Sequence, residues 1–352
     1  MSCRNNERGA ARFPGREPGA ARFPGREQGA ALLAVLMLVG VMAAIAATML
    51  ERSRMSTRLV SNLLAREQAG ALLLVAETLS LARLDRLAKD SGRNAAWQGQ
   101  PILLPLPQAQ TQPGGSASIT PEDGGNCFNL NSLVAQAGPD ALVSRPLGLA
   151  QFVSLMQLLD VPQPKARQIA AAAADWIDSD QQPQALGAED SAYAVRGHLT
   201  GGTLMAEASE LRAILGVEPA LYQRLRPFLC ALPVATLSPL NLNSLRPADA
   251  PLLAMLLPET LGPPLVRLQV AQQVIAERPR GGWGSVADFA NAPRLRDAPL
   301  AADALQQLAV RTTWFQLALE VRSGDMVLPA TLLVDATQGP ARVALRRWTG
   351  ED

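Results

Sequence analysis

The chain has 352 residues, 48% of them hydrophobic and only 4% aromatic, and its 32 lysines and arginines almost balance 31 aspartates and glutamates for a net charge of +1. That balance gives no electrostatic reason to expect nucleic acid. A soluble part of about 260 residues can bury a core and form two subdomains. Catalytic signatures are missing too. The one histidine, His198, lies in Arg196-Gly197-His198-Leu199 with no nucleophile motif beside it, and neither a phosphate-binding glycine loop nor a paired metal-hydrolase histidine motif occurs. The adjacent acids Glu189 and Asp190 have no reason to face each other across a sugar, so a glycosidase pair is not supported.

Residues 9–18, GAARFPGREP, are followed at 19–28 by GAARFPGREQ, a ten-residue tandem repeat. Two copies are too few to stack into a solenoid, and the segment is expected to be disordered. Up to Gly29 the leader carries six arginines against three glutamates. Ala30–Leu50 then runs for 21 residues without a charge, a helix of roughly 31 Å that matches the hydrocarbon thickness of a bilayer. The positive-inside rule keeps the leader in the cytoplasm and puts everything after Glu51 on the far side. A secretory signal peptide is the competing reading, with Ala44 to Thr48 as small residues for cleavage. Against it, no proline occurs between Gly25 and Gln100, so one helix can continue to about residue 88. Met55, Leu59 and Leu63, then Leu72, Val75 and Leu79, keep helical spacing. On periodicity alone, a plain single-pass anchor with a stalk remains open.

Gly29 followed by Ala30-Ala31-Leu32-Leu33-Ala34-Val35-Leu36, after a basic leader and before an extended amphipathic helix, resembles the signal of prepilin-like proteins. The resemblance implies that a membrane prepilin peptidase cuts after Gly29 and methylates the new amino terminus at Ala30, leaving the apolar helix attached. Most members have glutamate at the fifth mature position; here it is Ala34, a departure typical of the GspK family of minor pseudopilins in type II secretion. With the leader removed, Cys3 is lost and Cys127 and Cys230 remain on the periplasmic side, where an oxidising compartment favours a Cys127–Cys230 disulfide. Two separate buried thiols are the alternative, because spacing cannot report the distance between them.

Beyond the long helix, Pro101 to Gln110 and Ser116 to Thr120 read as short strands joined by the turn-rich Gln110 to Gly115. Cys127-Phe128-Asn129-Leu130-Asn131 and Cys230-Ala231-Leu232-Pro233 resemble the GspK family at the two ends of its inserted helical domain. Helices are expected over Leu149 to Leu159, Ala166 to Asp175, Glu207 to Leu215, Ala220 to Leu229, Pro264 to Glu277 and Ala301 to Val310.

The segment from Asp175 to Tyr193 holds five carboxylates and no basic residue. A hard divalent cation that takes six to eight oxygens would remove the cost of gathering them. Counted from Asp178, the acids fall at the first, third and twelfth positions as in an EF-hand, but Pro183 replaces the glycine needed at the sixth. What remains is an irregular calcium loop with Asp178, Asp180, Glu189 and Asp190 as side-chain ligands, or else a solvated acidic loop. The WIDxD and GxEDxxY pieces resemble the region that binds calcium in the GspK family, and zinc is disfavoured because neither cysteine nor histidine lies in the loop.

Leu240 to Leu245, the helical run from Pro264 to Glu277, Arg278-Pro279-Arg280-Gly281-Gly282-Trp283 and Val286-Ala287-Asp288-Phe289 have the outline of a helix-hairpin-helix module. Leu261-Gly262-Pro263-Pro264 stands where a richer glycine turn belongs, and its prolines remove amide donors. With few basic residues around it, a packing module is favoured over a DNA-binding one. From Thr312 to Trp348 the pattern alternates with a period of two, giving strands over Thr313 to Arg322, Met326 to Asp335 and Ala341 to Arg347, with turns at Ser323 to Asp325 and Thr337 to Pro340.

These readings combine into an α+β chain. A leader covers 1–29, the amino-terminal helix 30–88 (membrane span 30–50), a pseudopilin α/β domain 89–128 with 311–352, and an inserted all-α domain 129–310. The resemblance implies a structural, non-enzymatic minor pseudopilin, single-pass in the bacterial inner membrane with its carboxyl-terminal domain in the periplasm. Calcium, the minor pseudopilins GspI and GspJ, the major pseudopilin filament and the prepilin peptidase are the implied ligand and partners. The rival is a membrane-anchored periplasmic DNA-binding protein.

Overall fold

The computed structural model describes residues 27–90, 95–106, 115–139, 141–323 and 326–348. The tandem repeat up to Arg26, Cys3, most of the linker at 110–115, the last residues of the strand expected over Pro101 to Gln110, and Gly324 with Asp325 lie outside them. The chain divides into two compact units, 1–64 and 65–352.

Helix α1, Glu27–Asp90, is continuous for 64 residues, as the absence of proline allows. In the first unit every side chain from Gly29 to Leu64 is exposed, and the most apolar 18-residue stretch of the helix has a mean hydropathy of 2.7. Leu33, Leu36, Met37 and Leu38 are 59–77% exposed. Apolar surface of this extent costs about 25 cal/mol per Å² in water and calls for lipid or partner helices.

In the second unit, strands β1 (Ile102–Leu104) and β2 (Ser116–Asp123) open a sheet that the chain finishes only after a long excursion. The excursion starts with β3 (Phe128–Asn129), β4 (Val134–Gln136) and β5 (Leu142–Ser144), then α2 (Pro146–Leu158), α3 (Gln163–Ile177), α4 (Asp190–Tyr193), α5 (Pro219–Leu225) and β6 (Leu229–Cys230). It continues through β7 (Leu240–Asn241), α6 (Ala250–Ala254), α7 (Pro264–Ala276), α8 (Val286–Ala290), α9 (Ala302–Gln307) and β8 (Leu308–Ala309). Strands β9 (Trp314–Ser323), β10 (Met326–Asp335) and β11 (Arg342–Trp348) complete the sheet. Its order is β1-β2-β9-β10-β11, antiparallel throughout.

The alternation of β9 places Phe315, Leu317, Leu319 and Val321 on one buried face, where they share a core with Leu72, Leu73, Ala76 and Leu84 of α1. A second, larger core lies within the helical excursion, around Phe128, Phe152, Leu155, Ile169, Leu225, Leu253 and Phe289. Helix α3 fits closely there because its run of alanines lets neighbours approach, and Ala170, Ala172, Ala173 and Ala174 are all buried.

Within the excursion the chain repeats itself. Asn129-Leu130-Asn131-Ser132-Leu133 recurs as Asn241-Leu242-Asn243-Ser244-Leu245. Each copy begins at the second residue of a two-residue strand that pairs in parallel with the strand closing its own half, β3 with β6 and β7 with β8. Asn131 Oδ1 accepts from Met205 N (2.7 Å) and its Nδ2 donates to Met205 O (2.9 Å). Asn243 grips Trp283 in the same two-handed way, at 2.7 and 3.1 Å. One side-chain amide in each half therefore does what a longer strand would do, satisfying backbone groups far along the chain.

Three expected helices are shorter or tighter than their pattern. Glu207 to Leu215 is a 3-10 helix over Ala208–Ala213, boxed in by Glu207 and Glu210 at its start and ended before Gly216 with φ +86°. Helix α5 gives way at Arg226 to a 3-10 turn because Pro227 has no amide to donate back. The last helix stops at Gln307 because Leu308 and Ala309 are taken by the pairing with β7.

Cys127 and Cys230 are joined in a disulfide with Cα atoms 5.7 Å apart, closing a loop with a sequence separation of 103. Replacing both cysteines with serine is expected to lower unfolding stability by about 2–4 kcal/mol, read as a fall in the denaturant midpoint relative to the oxidised protein; an unchanged midpoint would remove the disulfide from the account of this half.

Candidate functional site

Helix α3 carries Asp175 in its last turn and ends at Ile177, capped by Asp178, whose amide still donates to Ala174 O at 2.9 Å. The chain then swings out through Asp180, whose Oδ1 accepts from Gln182 N at 2.7 Å, and returns at Gly187-Ala188-Glu189. Asp178, Asp180 and Glu189 each offer a carboxylate oxygen, and these atoms lie within 4.8 Å of one another. Asp178 is 4% and Glu189 3% exposed, and Asp180 is open to solvent.

Asp178 Oδ1 and both carboxylate oxygens of Glu189 are buried without a hydrogen-bond partner. Leaving ionised carboxylates in that state is costly. Burial first, then repulsion from Asp175 and Asp180, pushes the Asp178 carboxyl up to about 7. Burial, followed by repulsion from Asp175, Asp178, Asp180 and Asp190, brings Glu189 up to about 7 as well. An all-oxygen set with orphaned buried lone pairs fits a hard divalent cation and offers no nitrogen or sulfur to zinc.

Asp190 is not among the three. Its Oδ1 accepts from Thr200 N (2.8 Å) and Thr200 Oγ1 (2.7 Å), bonds that hold its carboxyl below the usual range. Asp175 is fully buried and accepts from Gln184 N at 3.1 Å and Gln184 Nε2 at 2.9 Å; burial raises its carboxyl against the lowering effect of these bonds and of one from the Ala188 amide. Behind the loop, Trp176, Tyr193 and His198 form a ring cluster with centroids 5.2–5.8 Å apart, so His198 packs as an aromatic. Sequence reasoning collected the acids but did not see the contacts that sort them, since Gln184 and Thr200 carry no metal-binding signal of their own.

In the hairpin-like segment Arg267 is buried and Arg278 half-buried, while Arg246 and Arg280 stay exposed. Arg267 of α7 is 4% exposed and donates to Ser154 Oγ at 3.1 Å. Arg278 Nη1 donates to Leu242 O and Leu245 O, both at 2.9 Å, and Arg246 pairs with Asp249 at 3.1 Å. At the other end of the chain, Gly29 and Ala30 lie exposed in the first turn of α1, and Ala34 is exposed about one turn further on.

Two family profiles described as "Type II secretion system (T2SS), protein K" match residues 126–234 and 240–311, the two halves of the helical excursion. Type II secretion system protein K of Klebsiella pneumoniae is 37% identical over 303 residues, covering 84% of this chain and 88% of its own. That of Pectobacterium carotovorum is 35% identical over 329 residues, covering 91% and 96%. The chain belongs to the type II secretion system protein K family. Among solved structures, it is similar to the GspK-GspI-GspJ complex from enterotoxigenic Escherichia coli, with a TM-score of 0.66 and 28% identity over 83% of this chain and 99% of that one. As a protein K homologue it is a minor pseudopilin of type II secretion, with the mixed α+β fold of GspK.

The raised carboxyls set a pH dependence. Asp178 and Glu189 bind a proton more tightly folded than unfolded, so their protonation favours the metal-free fold below about pH 4, and that contribution is lost as pH rises through about 7. In chelator-treated protein, the thermal midpoint of Glu189→Gln is expected to gain on the wild type between pH 5 and 8. Parallel midpoints across this range would show that Glu189 is not held in an unpaired, buried state.

Proposed function

We propose that this minor pseudopilin is a structural subunit stored in the inner membrane by residues 30–50, with its leader in the cytoplasm and its carboxyl-terminal domain in the periplasm. Prepilin peptidase cuts after Gly29 and methylates Ala30, and the retained helix exchanges lipid for the helices of other pseudopilins. The observation that carries this reading is α1 itself: an uncharged span with every side chain exposed, running on without a break into the helix that packs beneath the sheet core.

A chain of the solved GspK-GspI-GspJ complex resembles this one, which supports GspI and GspJ as partners here, with the three capping the major pseudopilin filament. At the tip, the bulky helical excursion leaves no room for a subunit above. Ala34 fits that place, because a first subunit has no predecessor whose amino terminus a glutamate would neutralise. The role is mechanical, in export of folded proteins across the outer membrane, with no catalytic step.

Calcium is the ion proposed for the acidic loop. Asp178, Asp180 and Glu189 would hold it, backbone carbonyls or water would complete the shell, and the bound ion would neutralise the buried carboxylates. The packing reading of the hairpin-like segment draws support from Arg267, buried against Ser154, and from Arg278, which holds the carbonyls of Leu242 and Leu245.

Changing Gly29 to a bulky residue is expected to leave an unprocessed precursor and to stop secretion in a strain that depends on this subunit, followed by immunoblot of the membrane fraction and by activity of an exported enzyme. Normal export from the unprocessed form would overturn the assembly role. Retarded DNA in a gel-shift with the detergent-solubilised full chain, fading as salt rises, would favour the DNA-binding rival.

A further inference from the structure

We infer that Asp175 is the positioning residue of the metal centre: it gives no oxygen to the cation and instead fixes the returning loop so that Glu189 meets Asp178. The inference rests on the calcium reading above and adds to it a residue that acts through another.

Asp175 is completely buried in the last turn of α3, one helical turn before Asp178. Its carboxylate is already spoken for. Oδ1 accepts from Gln184 Nε2 at 2.9 Å and Oδ2 from Gln184 N at 3.1 Å, and the Ala188 amide donates to the same group. Residues 184–188 are thus wrapped around one buried anion, and the next residue is Glu189. Gly187 makes the wrap possible, because a Cβ there would overlap Oδ2 of Asp175. Contrast Glu189, which is equally buried but has neither oxygen partnered. One buried carboxylate is saturated by its own loop and the other is left open, a division of labour between positioning residue and ligand.

Asparagine at 175 would turn an amide donor toward Gln184 N, Gln184 Nε2 and the Ala188 amide, which are themselves donors, so at least one loop contact is lost while side-chain size is kept. In Asp175→Asn, calcium affinity of the detergent-solubilised full chain, measured by isothermal titration, is expected to weaken about 10–100-fold. Gly187→Ala, which displaces the carboxylate without removing it, should weaken affinity in the same direction and carries the test if Asp175→Asn does not fold. At saturating terbium, luminescence lifetimes in H2O and D2O should report the same number of coordinated waters for each variant as for the wild type. An unchanged calcium affinity in the folded variants, even with a lowered metal-free thermal midpoint, reduces Asp175 to a structural residue and overturns the proposal. An additional coordinated water in Asp175→Asn makes Asp175 a ligand and overturns it in a different way. If the wild type takes up neither calcium nor terbium, the calcium reading itself fails.

Discussion

An excursion of nearly two hundred residues between two strands that must lie side by side is tolerable only if its two ends are clasped together, and the clasp here is the carboxylate of Asp123. Asp123 is the last residue of β2, and Phe315, its partner in β9, comes just after the excursion ends. Its Oδ2 accepts from Thr312 Oγ1 (2.6 Å), Ser244 Oγ (2.6 Å) and Asn241 Nδ2 (3.1 Å), and its Oδ1 from Gly125 N (2.9 Å). Burial raises this carboxyl, and the four bonds oppose the rise. Closing so long a loop has an entropic cost that grows only slowly with length, so a compact set of charge-assisted bonds at its neck is enough to hold it. Because three of those bonds come from residues 241, 244 and 312, the second half of the excursion is fixed to the sheet by the same group that closes its neck.

The two halves share one sealing device and put it to different uses. Both are sealed by an Asn-Leu-Asn-Ser-Leu segment and a two-residue parallel bridge. The second half keeps a short path from α7 to α8, and Arg278 there holds the carbonyls of Leu242 and Leu245. In the first half the corresponding path, from α3 to the 3-10 helix at Ala208, is lengthened into the acidic loop, and the Cys127–Cys230 bond ties its ends. The half that carries the more costly, charge-repelling loop is also the one with a covalent staple. Its tie to the sheet is lighter, an exposed pair of Arg347 with Glu207 at 3.0 Å, worth little in water.

Much of this was legible in the chain wherever structure is decided locally. The absence of proline and charge announced α1, and alternation announced β9, β10 and β11 nearly to the residue. What escaped detection is decided at a distance. Strands of two residues, such as β3 with β6, leave no period to read, because their partners sit about a hundred residues away. The repeat of Asn-Leu-Asn-Ser-Leu was visible but carries meaning only once Asn131 and Asn243 are seen holding Met205 and Trp283. Within the acidic loop, composition pointed to oxygen-loving chemistry, whereas the sorting of its acids depends on Gln184 and Thr200. Pro227 and Gly216 show how single residues shortened helices that hydrophobic spacing had drawn too long.

The proposed assembly role requires a membrane helix that is trimmed at one end and retained. Intact-mass spectrometry of the protein extracted from membranes tests this most directly. The mass expected is that of a chain beginning at a methylated Ala30 with Cys127 and Cys230 oxidised to one disulfide. A chain beginning near Met49, or one still carrying residues 1–29, would contradict it.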